Sequence, residues 1–418
     1  MILLSLLQLT CPGIKNSLYF SKTVASAQRS KPLETHIASE LPLRVTHVVH
    51  DLDGGGLESL VASMARLEAG TSVAVSVISL SGRVGRLGAA ITPQLHHYLP
   101  MRSWPGISML VPLGLARAIR RTRAEVIHVH SGCWYKASLA ARLAGVPVVY
   151  TEHGREHYDP PLLQWLDRRA ARRTAAVVAV SDRLAAYLAR TLGVAPSRLH
   201  TVQNGVDTAV FTPGLPSAVL RERLGIPANA LVVGSIGRLE LVKAYTRLID
   251  AVARLRESGS VARPVVGLIW GDGSERPTLE ARIAERGLTG AFFLPGWTDD
   301  AAASHRLLDV FALTSLSEGA SVSLMESLAS GVTPLVMQVG ANAEVVGPEL
   351  AAQVVPDGDE SAFGRVLEAT LLDAARRERA GEAGRRRVVE HYSLQAMVAS
   401  YERLYRAVRR PPTPGGAA

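Results

Sequence analysis

Cysteine is almost absent from this chain of 418 residues. Its two cysteines, Cys11 and Cys133, lie far apart and form no CxxC pair. The sequence therefore excludes a disulfide framework and a cysteine-based zinc site, and it favours a reducing cytoplasmic environment. Long apolar runs are also missing, because the best candidate, Met1–Thr10, is about half the length of a membrane-spanning helix and contains polar residues. An integral membrane protein is not expected.

Lysine is scarce as well, although the chain is basic. Five lysines stand against 41 arginines, and the net charge is +9. Arginines cluster in helix-like patterns at 116–123, 168–173 and 385–387. Such runs are typical of solvated helix faces, but the first two could instead hold a peripheral protein against anionic lipid head groups. Aromatic residues make up only 5% and do not interleave with the charge, so nucleic-acid binding is not expected.

The hydropathy pattern predicts an α/β fold. From residue 45, short β-branched runs alternate with amphipathic segments, which is typical of parallel sheets covered by helices. Phe211–Pro216 interrupts the pattern with two prolines and a glycine and is interpreted as a linker. We predict two tandem, doubly wound Rossmann-like domains that face a cleft. The predicted strands are Val45–His50, Val73–Ser79, Val126–His130, Val146–Thr151, Ala176–Val180, Leu199–Val202, Leu231–Gly237, Val265–Trp270, Ala291–Leu294, Val310–Leu313, Thr333–Met337 and Gln353–Val355.

The same pattern suggests the limits of the domains. Residues 1–43 show no sustained period and are expected to form a poorly ordered extension rather than a targeting peptide. The N-terminal domain is placed at 44–212 and the C-terminal domain at 217–390. A C-terminal helix is placed at 391–410, and the proline- and glycine-rich residues 411–418 are expected to be a disordered tail.

A glycine-rich turn follows the first predicted strand. Gly54, Gly55 and Gly56 lead from that strand into a helix, and such a turn lets backbone amides approach an anion closely, although packing alone could also require it. A dinucleotide-binding motif would need an acidic residue about 20 residues after this turn, and the second predicted strand, which lies there, carries none. A nicotinamide cofactor is therefore not expected. Asp51 and Asp53 at the strand end are a weak candidate for a metal site.

Two cations follow the first strand of the second domain. Arg238 comes directly after the strand, and Lys243, the only lysine after Lys136, comes five residues later. A compact ammonium and a forked guanidinium suit two successive phosphates, and each hydrogen bond to a charged group contributes about 1.5–3 kcal/mol. We expect these cations to bind phosphates, the alternative being that they are solvated surface charges.

Two glutamates lie around the next helix. Glu318 is placed in the loop after the strand Val310–Leu313, and Glu326 lies at the border of the apolar face of the helix. Ser321 is the predicted N-cap and Gly331 the predicted stop. Carboxylates so placed can accept two hydrogen bonds from a vicinal diol of a ribose or a hexose. A solvated loop and an ordinary surface glutamate are the alternatives.

Histidines mark strand ends in the first domain. His128 and His130 share one face of their strand, and His153 precedes Gly154 at the end of another. The three could form a metal site, but no carboxylate-bearing spacing supports one, and buried or cleft-lining histidines are favoured. For His153 we expect substrate contact. The segment 204–207 is interpreted as a tight turn before the linker.

These motifs, taken in order, resemble glycosyltransferase family 4. The resemblance covers residues 44–409 and rests on Gly54–Glu58, Thr151–Gly154, Val202–Asp207, Gly237–Leu239 with Lys243, Gly271–Gly273, the Glu318 and Glu326 pair with seven intervening residues, and Val339–Glu344.

The resemblance implies a nucleotide-sugar-dependent transferase of the GT-B fold that retains anomeric configuration and needs no metal or other cofactor. Arg238 and Lys243 would hold the donor diphosphate, Glu326 the ribose, and Glu318 the donor sugar. His153 would lie beside the acceptor and the transferred sugar, and the final helix would return to the first domain. The implied catalytic residues are Arg238, Lys243, Glu318 and His153, and the implied donor-binding residues are Gly55, Gly56, Arg238, Lys243, Glu318, Gly319, Ala320, Ser321 and Glu326. Ala244 stands where family members often carry glycine, and Gln338 replaces a more usual Thr or Asp.

The leading hypothesis is therefore a cytoplasmic transferase, peripheral on the inner membrane face, that moves a hexose from a nucleotide sugar to a saccharide or lipid-linked acceptor. An epimerase of nucleotide sugars is the alternative of similar architecture. A basic protein that binds nucleic acid is a third, non-enzymatic hypothesis, which predicts steep salt dependence.

Overall fold

Two parallel β-sheets form the core of the computed structural model, which describes residues 42–102, 111–154 and 160–409. In the first sheet the strands lie in the order β3-β2-β1-β4-β5-β6-β7. Nearly every residue of the central strands is buried, because helices cover both faces, and this explains their β-branched composition. The strands are β1 Leu43–Val49, β2 Val73–Ser79, β3 His97–Pro100, β4 Val126–His130, β5 Val148–Glu152, β6 Ala176–Ala179 and β7 Leu199–Thr201.

The second sheet repeats this architecture with six strands in the order β10-β9-β8-β11-β12-β13. In each sheet the order reverses beside the first strand, between β1 and β4 and between β8 and β11, and ligands bind at such switch points beyond the carboxyl ends of the strands. The strands are β8 Leu231–Ile236, β9 Val265–Trp270, β10 Phe292–Gly296, β11 Val310–Leu313, β12 Thr333–Met337 and β13 Val354–Val355.

Helices connect the strands and cover both sheets. In the first domain they are Gly56–Ala69, Arg86–Ile91, Leu113–Arg121, Trp134–Ala144, Pro161–Ala171 and Asp182–Leu192. In the remainder they are Ala218–Arg223, Tyr245–Ser258, Arg276–Glu285, Ala301–Arg306, Val322–Ala329, Asn342–Val346, Glu360–Leu372, Ala374–His391 and Leu394–Val408, and short 3₁₀ turns lie at Thr92–Gln94, Pro196–Arg198, Leu241–Lys243 and Pro348–Gln353. None of the helices within the described ranges has the length and hydropathy to cross a membrane.

The last helix belongs to the core of the first sheet. Tyr401 and Tyr405 of Leu394–Val408 are buried there with Val45 and Val149. The backbone of Val206 bonds to Tyr392 and to Leu394, so the chain crosses between the sheets at this point.

The fold class agrees with the prediction, and five predicted strands have the observed bounds. The edge strand β3 was not predicted, because His97–Pro100 is short, only partly buried and ends in proline. The tight turn predicted at 204–207 is wrong, since this segment is extended and Val206 forms a β-bridge with Ser393. The predicted extension at 1–43, except for its last two residues, and the tail at 411–418 lie outside the described residues.

Candidate active site

Lys243 and Glu318 are in direct contact at the carboxyl edge of the second sheet. Lys243 Nζ lies 2.7 Å from Glu318 Oε1, and the two side chains are only 17% and 8% exposed. Ser315 Oγ donates a 2.6 Å hydrogen bond to the same oxygen. The turn after β8 and the loop after β11 come together because these two strands are neighbours. The second domain thus presents a fixed, charge-assisted pair at its switch point.

Hydrogen bonds from the loop after β11 fix the turn that carries Lys243. Thr314 Oγ1 donates to the carbonyl oxygens of Lys243 and Ala244 at 3.1 and 3.2 Å, and the Leu316 amide donates to Val242 at 2.8 Å. Ala244 has φ +45°, in the left-handed region that favours glycine. A Cβ at this position costs about 1–2 kcal/mol, so glycine, the residue that the resemblance leads one to expect after Lys243, would adopt this conformation more easily.

Arg238 lies beside the glycine-rich turn of the first domain. Gly55 has φ +146°, and a Cβ built on it would lie 2.2 Å from Glu58 Oε2 and 3.8 Å from Arg238 Cδ. Gly56 is equally close to the second domain, since its Cβ would lie 3.6 Å from Val322 Cβ. Burial raises the pKa of Glu58, and its backbone hydrogen bond and Arg238 oppose this shift. The turn therefore lies beside the exposed Arg238, and a side chain at Gly55 would collide with Glu58.

Glu326 is buried on the helix Val322–Ala329. The helix begins after Ser321, whose Oγ accepts from the Leu324 amide, as the sequence predicts. Glu326 is only 7% exposed, and its Oε2 lies 3.3 Å from Nε2 of the fully buried His305. The sequence pattern placed Glu326 at the border of the apolar face but contained no signal for His305, which comes from the preceding helix, Ala301–Arg306.

In the first domain, Glu152 anchors the backbone of His153. The His153 amide donates to Ser131 Oγ at 2.9 Å, and that hydroxyl donates to Glu152 Oε1 at 2.8 Å. The hydroxyl of Tyr150 donates to the other carboxylate oxygen at 2.7 Å. Burial lowers the pKa of His153 to about 4, although the neighbouring Asn204 opposes the shift, so the imidazole is neutral at pH 7.

The two domains meet at His153 and Gly319. A Cβ on Gly319 would lie 2.0 Å from the carbonyl oxygen of His153, so only glycine permits this approach. Beside it, Asn204 Nδ2 donates to the carbonyl of Ala320 at 3.0 Å. Site residues that the sequence predicts in different domains are therefore brought together, and Asn204 takes part in this contact.

A cavity of about 320 Å³ lies between the domains next to this contact. Glu318 lines it and also contacts Lys243, so one carboxylate connects the cavity to this cation. The lining residues after β6 were not predicted from the sequence, because they lie in none of the motifs described above. The lining includes Gly154, Ser181, Arg183 and Tyr187 on one side and Glu318 and Gly340 on the other.

The sequence-based metal candidates have protein partners. The structure groups His47, rather than His153, with His128 and His130, and their ring nitrogens come within 4.8 Å of one another. Each ring nitrogen of the three is within hydrogen-bond distance of a protein atom. Asp51 and Asp53 bond to nearby backbone amides, with Oδ1 of Asp51 accepting from the amide of Asp53 at 3.2 Å.

Comparison with family models matches both halves of the chain. The model described as Glycosyltransferase Family 4 matches residues 54–210, and the model described as Glycosyl transferases group 1 matches residues 217–387.

Among curated relatives, the 2-deoxystreptamine glucosyltransferase of Streptomyces kanamyceticus is 30% identical, over 68% of this chain and 79% of that protein. The D-inositol 3-phosphate glycosyltransferase of Salinispora arenicola is 28% identical, over 80% and 83%. An Escherichia coli enzyme named UDP-Gal:alpha-D-GlcNAc-diphosphoundecaprenol alpha-1,3-galactosyltransferase is 27% identical, over 60% and 67%.

Solved structures share the fold. The structure of Anabaena HepE in complex with UDP-glucose superimposes with a TM-score of 0.74 at 18% identity, over 87% of this chain and 100% of that chain. A glycosyltransferase from Rickettsia africae gives a TM-score of 0.73 at 19% identity, over 88% and 98%.

Proposed function

The chain belongs to glycosyltransferase family 4 and is a hexosyltransferase of the GT-B fold, and from this premise we propose how its two domains divide the reaction. The second domain binds a nucleoside-diphosphate hexose, and the first domain presents the acceptor. The observation that carries the proposal is the Lys243–Glu318 pair, 2.7 Å apart, beside the cavity that reaches across to the first domain. Epimerisation of a nucleotide sugar finds no support, since the relatives named above are transferases.

We propose that Arg238 and Lys243 bind the donor diphosphate. Lys243 already bonds to Glu318, so the diphosphate would join an ordered ion pair rather than order a free side chain. Arg238 is exposed beside the glycine-rich turn, whose backbone amides could approach phosphate oxygens because Gly55 and Gly56 carry no side chains. Preorganised cations stabilise the charge that develops on a leaving diphosphate, which a divalent metal ion would otherwise do. The proposed reaction therefore needs no metal.

The sugar and the ribose are assigned to the two glutamates. Glu318 lies between Lys243 and the cavity, so it would contact the hexose near the reacting carbon. Glu326 would accept from the ribose hydroxyls, with its carboxylate held by His305. The segment between the two glutamates begins with Gly319, Ala320 and Ser321. The backbone of Gly319 and Ala320 contacts the first domain.

The acceptor is proposed to enter through the interdomain cavity, beside His153. The lining offers the hydroxyl groups of Ser181 and Tyr187 and the exposed guanidinium of Arg183. Such groups suit a polar acceptor, either a saccharide or the sugar head of a lipid-linked one.

We further propose that the protein is cytoplasmic and contacts the anionic inner face of the membrane through the helix Pro161–Ala171. Leu162 and Trp165 are 66% and 47% exposed there, and the Arg169 guanidinium lies 4.2 Å over the Trp165 ring. Apolar and aromatic side chains flanked by arginine suit an anionic lipid interface. Flotation with phosphatidylglycerol vesicles tests this, because Leu162→Ser and Trp165→Ser should weaken binding, whereas Leu215→Ser, 91% exposed on the linker, should not.

Donor binding is the decisive test of the catalytic proposal. Calorimetry with UDP-, GDP- and ADP-hexoses, with and without EDTA, should find one donor that binds equally well in both conditions. Lys243→Ala together with Arg238→Ala should abolish this binding, whereas Arg254→Ala, an exposed cation of the same domain, should preserve it. Binding that survives the double substitution, or that requires a divalent ion, would contradict the assignment. The anomeric configuration of the product then tests retention.

A further inference from the structure

A line of hydrogen bonds runs from the buried core of the first domain to His153. Glu68 Oε2 lies 2.7 Å from His47 Nε2, His47 Nδ1 lies 3.0 Å from His130 Nε2, and His130 Nδ1 lies 3.1 Å from His153 Nε2. Glu68, His47 and His130 are at most 1% exposed. We call these four residues the histidine relay. Glu68 lies on the helix Gly56–Ala69, His47 and His130 lie in strands β1 and β4, and His153 directly follows strand β5.

Glu68 sets the direction of these hydrogen bonds. A carboxylate only accepts, and Glu68 also accepts from the Tyr405 hydroxyl at 3.2 Å. His47 must therefore carry its proton on Nε2. Where the ring of His47 carries this one proton only, its Nδ1 accepts from Nε2 of His130, and Nδ1 of His130 accepts from Nε2 of His153. Burial keeps His130 and His153 neutral by lowering their pKa values.

The relay leaves one lone pair without a partner, on Nδ1 of His153. This atom is buried and has no hydrogen-bond partner among the residues that the structure describes. Asn204 is its polar neighbour and donates through Nδ2 to the carbonyl of Ala320. Because Asn204 raises the pKa of His153, it offers the ring an acceptor and not a donor for this lone pair. A buried acceptor without a partner is costly, and a ligand hydroxyl would satisfy it.

We infer that Glu68, His47 and His130 are positioning residues, which hold His153 in the Nε2–H tautomer so that its Nδ1 accepts a hydrogen bond from a hydroxyl of the bound sugar. This inference rests on the proposed function for the identity of the ligand. The relay itself is a property of the free protein. It is independent of the cations that bind the diphosphate in the second domain.

The tautomer can be measured directly in the full chain without a ligand. Histidine labelled with ¹⁵N distinguishes a protonated from an unprotonated ring nitrogen, and His153→Asn assigns the His153 signals. The relay predicts an unprotonated Nδ1 and a protonated Nε2 for His153. A proton on Nδ1, directed at Asn204, would overturn the proposal.

Breaking the relay should change that tautomer. His47→Phe removes the acceptor of His130, so a second population with Nδ1 protonated should appear at His153. Thr46→Val is the matched control, because Thr46 is buried in the same strand and its hydroxyl bonds instead to Thr122 at 2.8 Å. An unchanged His153 spectrum in folded His47→Phe would contradict a positioning role, and so would a bound stoichiometric metal in purified protein.

Steady-state kinetics test whether the relay affects transfer of the bound sugar. With UDP-glucose as the probe donor, His47→Phe should slow turnover about fivefold, the effect of one misdirected neutral hydrogen bond. The same substitution should have no further effect in His153→Asn, since the imidazole that it positions is gone. If the losses of turnover caused by His47→Phe and His153→Asn add in the double variant, the inference is wrong. Donor binding measured by calorimetry tests the proposed function separately, so either idea can fail while the other stands.

Discussion

Acidification should destabilise the first domain through its buried histidines. Burial lowers the pKa of His153 to about 4, and it lowers the pKa values of His128 and His130 well below their usual range. Each ring is therefore neutral in the folded protein and takes up a proton more readily in the unfolded chain. The stability that such a group contributes is complete above the unfolded pKa of about 6.5, and it is lost as the pH falls towards the folded value.

The size of the effect follows from the two pKa values. Between pH 7.5 and pH 5.5, a histidine that titrates at about 6.5 when unfolded and about 4 when folded loses about 1 kcal/mol of stabilising free energy. His128 and His130 act in the same direction, because burial lowers their pKa values as well. The loss at His153 alone is a measurable part of the roughly 5–15 kcal/mol by which a typical domain is stable.

The assay is urea unfolding at pH 7.5 and pH 5.5. His153→Asn should reduce the difference in unfolding free energy between the two pH values by about 1 kcal/mol, and His128→Asn should reduce it in the same direction. His50→Asn, whose imidazole is 76% exposed, is the control and should leave the difference unchanged. The other titrating groups contribute equally to the wild type and to each variant, so their effects cancel in the comparison. One of them is Glu58, whose raised pKa acts in the opposite direction. Equal pH sensitivity in the wild type and all three variants would refute the reasoning.

Three further predictions concern the contact between the domains and the donor site. Lys243→Ala should lower turnover about a hundredfold without unfolding the chain, because charge-assisted bonds to a diphosphate are lost, and near wild-type kinetics would remove Lys243 from the site. Ala244→Gly should raise the free energy of unfolding by about 1 kcal/mol in urea titration, since it relieves the left-handed φ of +45°. Gly319→Ala should lower turnover more than tenfold by forcing its Cβ against the His153 carbonyl, whereas Gly364→Ala, with open space around its Cβ, should not, as steady-state kinetics would show.

The fold could be predicted from the sequence because the strands are buried on both faces. Such strands read as continuous β-branched runs, and Val73–Ser79 and Val265–Trp270 were bounded correctly from this signal alone. The edge strand His97–Pro100 carries no such signal, because its residues are only partly buried. Its position depends on pairing with β2, which is a tertiary property.

The site could be predicted only where its residues follow strand ends. Lys243 and Glu318 lie in the segments that follow the neighbouring strands β8 and β11, and this topology brings their charged groups within 2.7 Å of each other. His47 and Glu68 could not be found in the same way. His47 lies in the middle of a strand, and its proximity to His130 depends on the register in which β1 pairs with β4. No local motif encodes that register.

The division of charge between the two domains suits the transfer of a hexose. As the bond to the diphosphate breaks, the leaving group becomes more negative and the sugar carbon more positive, as in other glycosyl chemistry. The proposed diphosphate ligands, Arg238 and Lys243, are cationic, whereas His153 is kept neutral by burial. A protonated imidazole about 4 Å from the positive carbon would cost about 4 kcal/mol at an effective dielectric constant of 20, which corresponds to roughly a thousandfold in rate. A neutral His153 that only accepts a hydrogen bond avoids this cost. The desolvation that makes the first domain sensitive to acid therefore also suits His153 to the place proposed for it beside the reacting sugar.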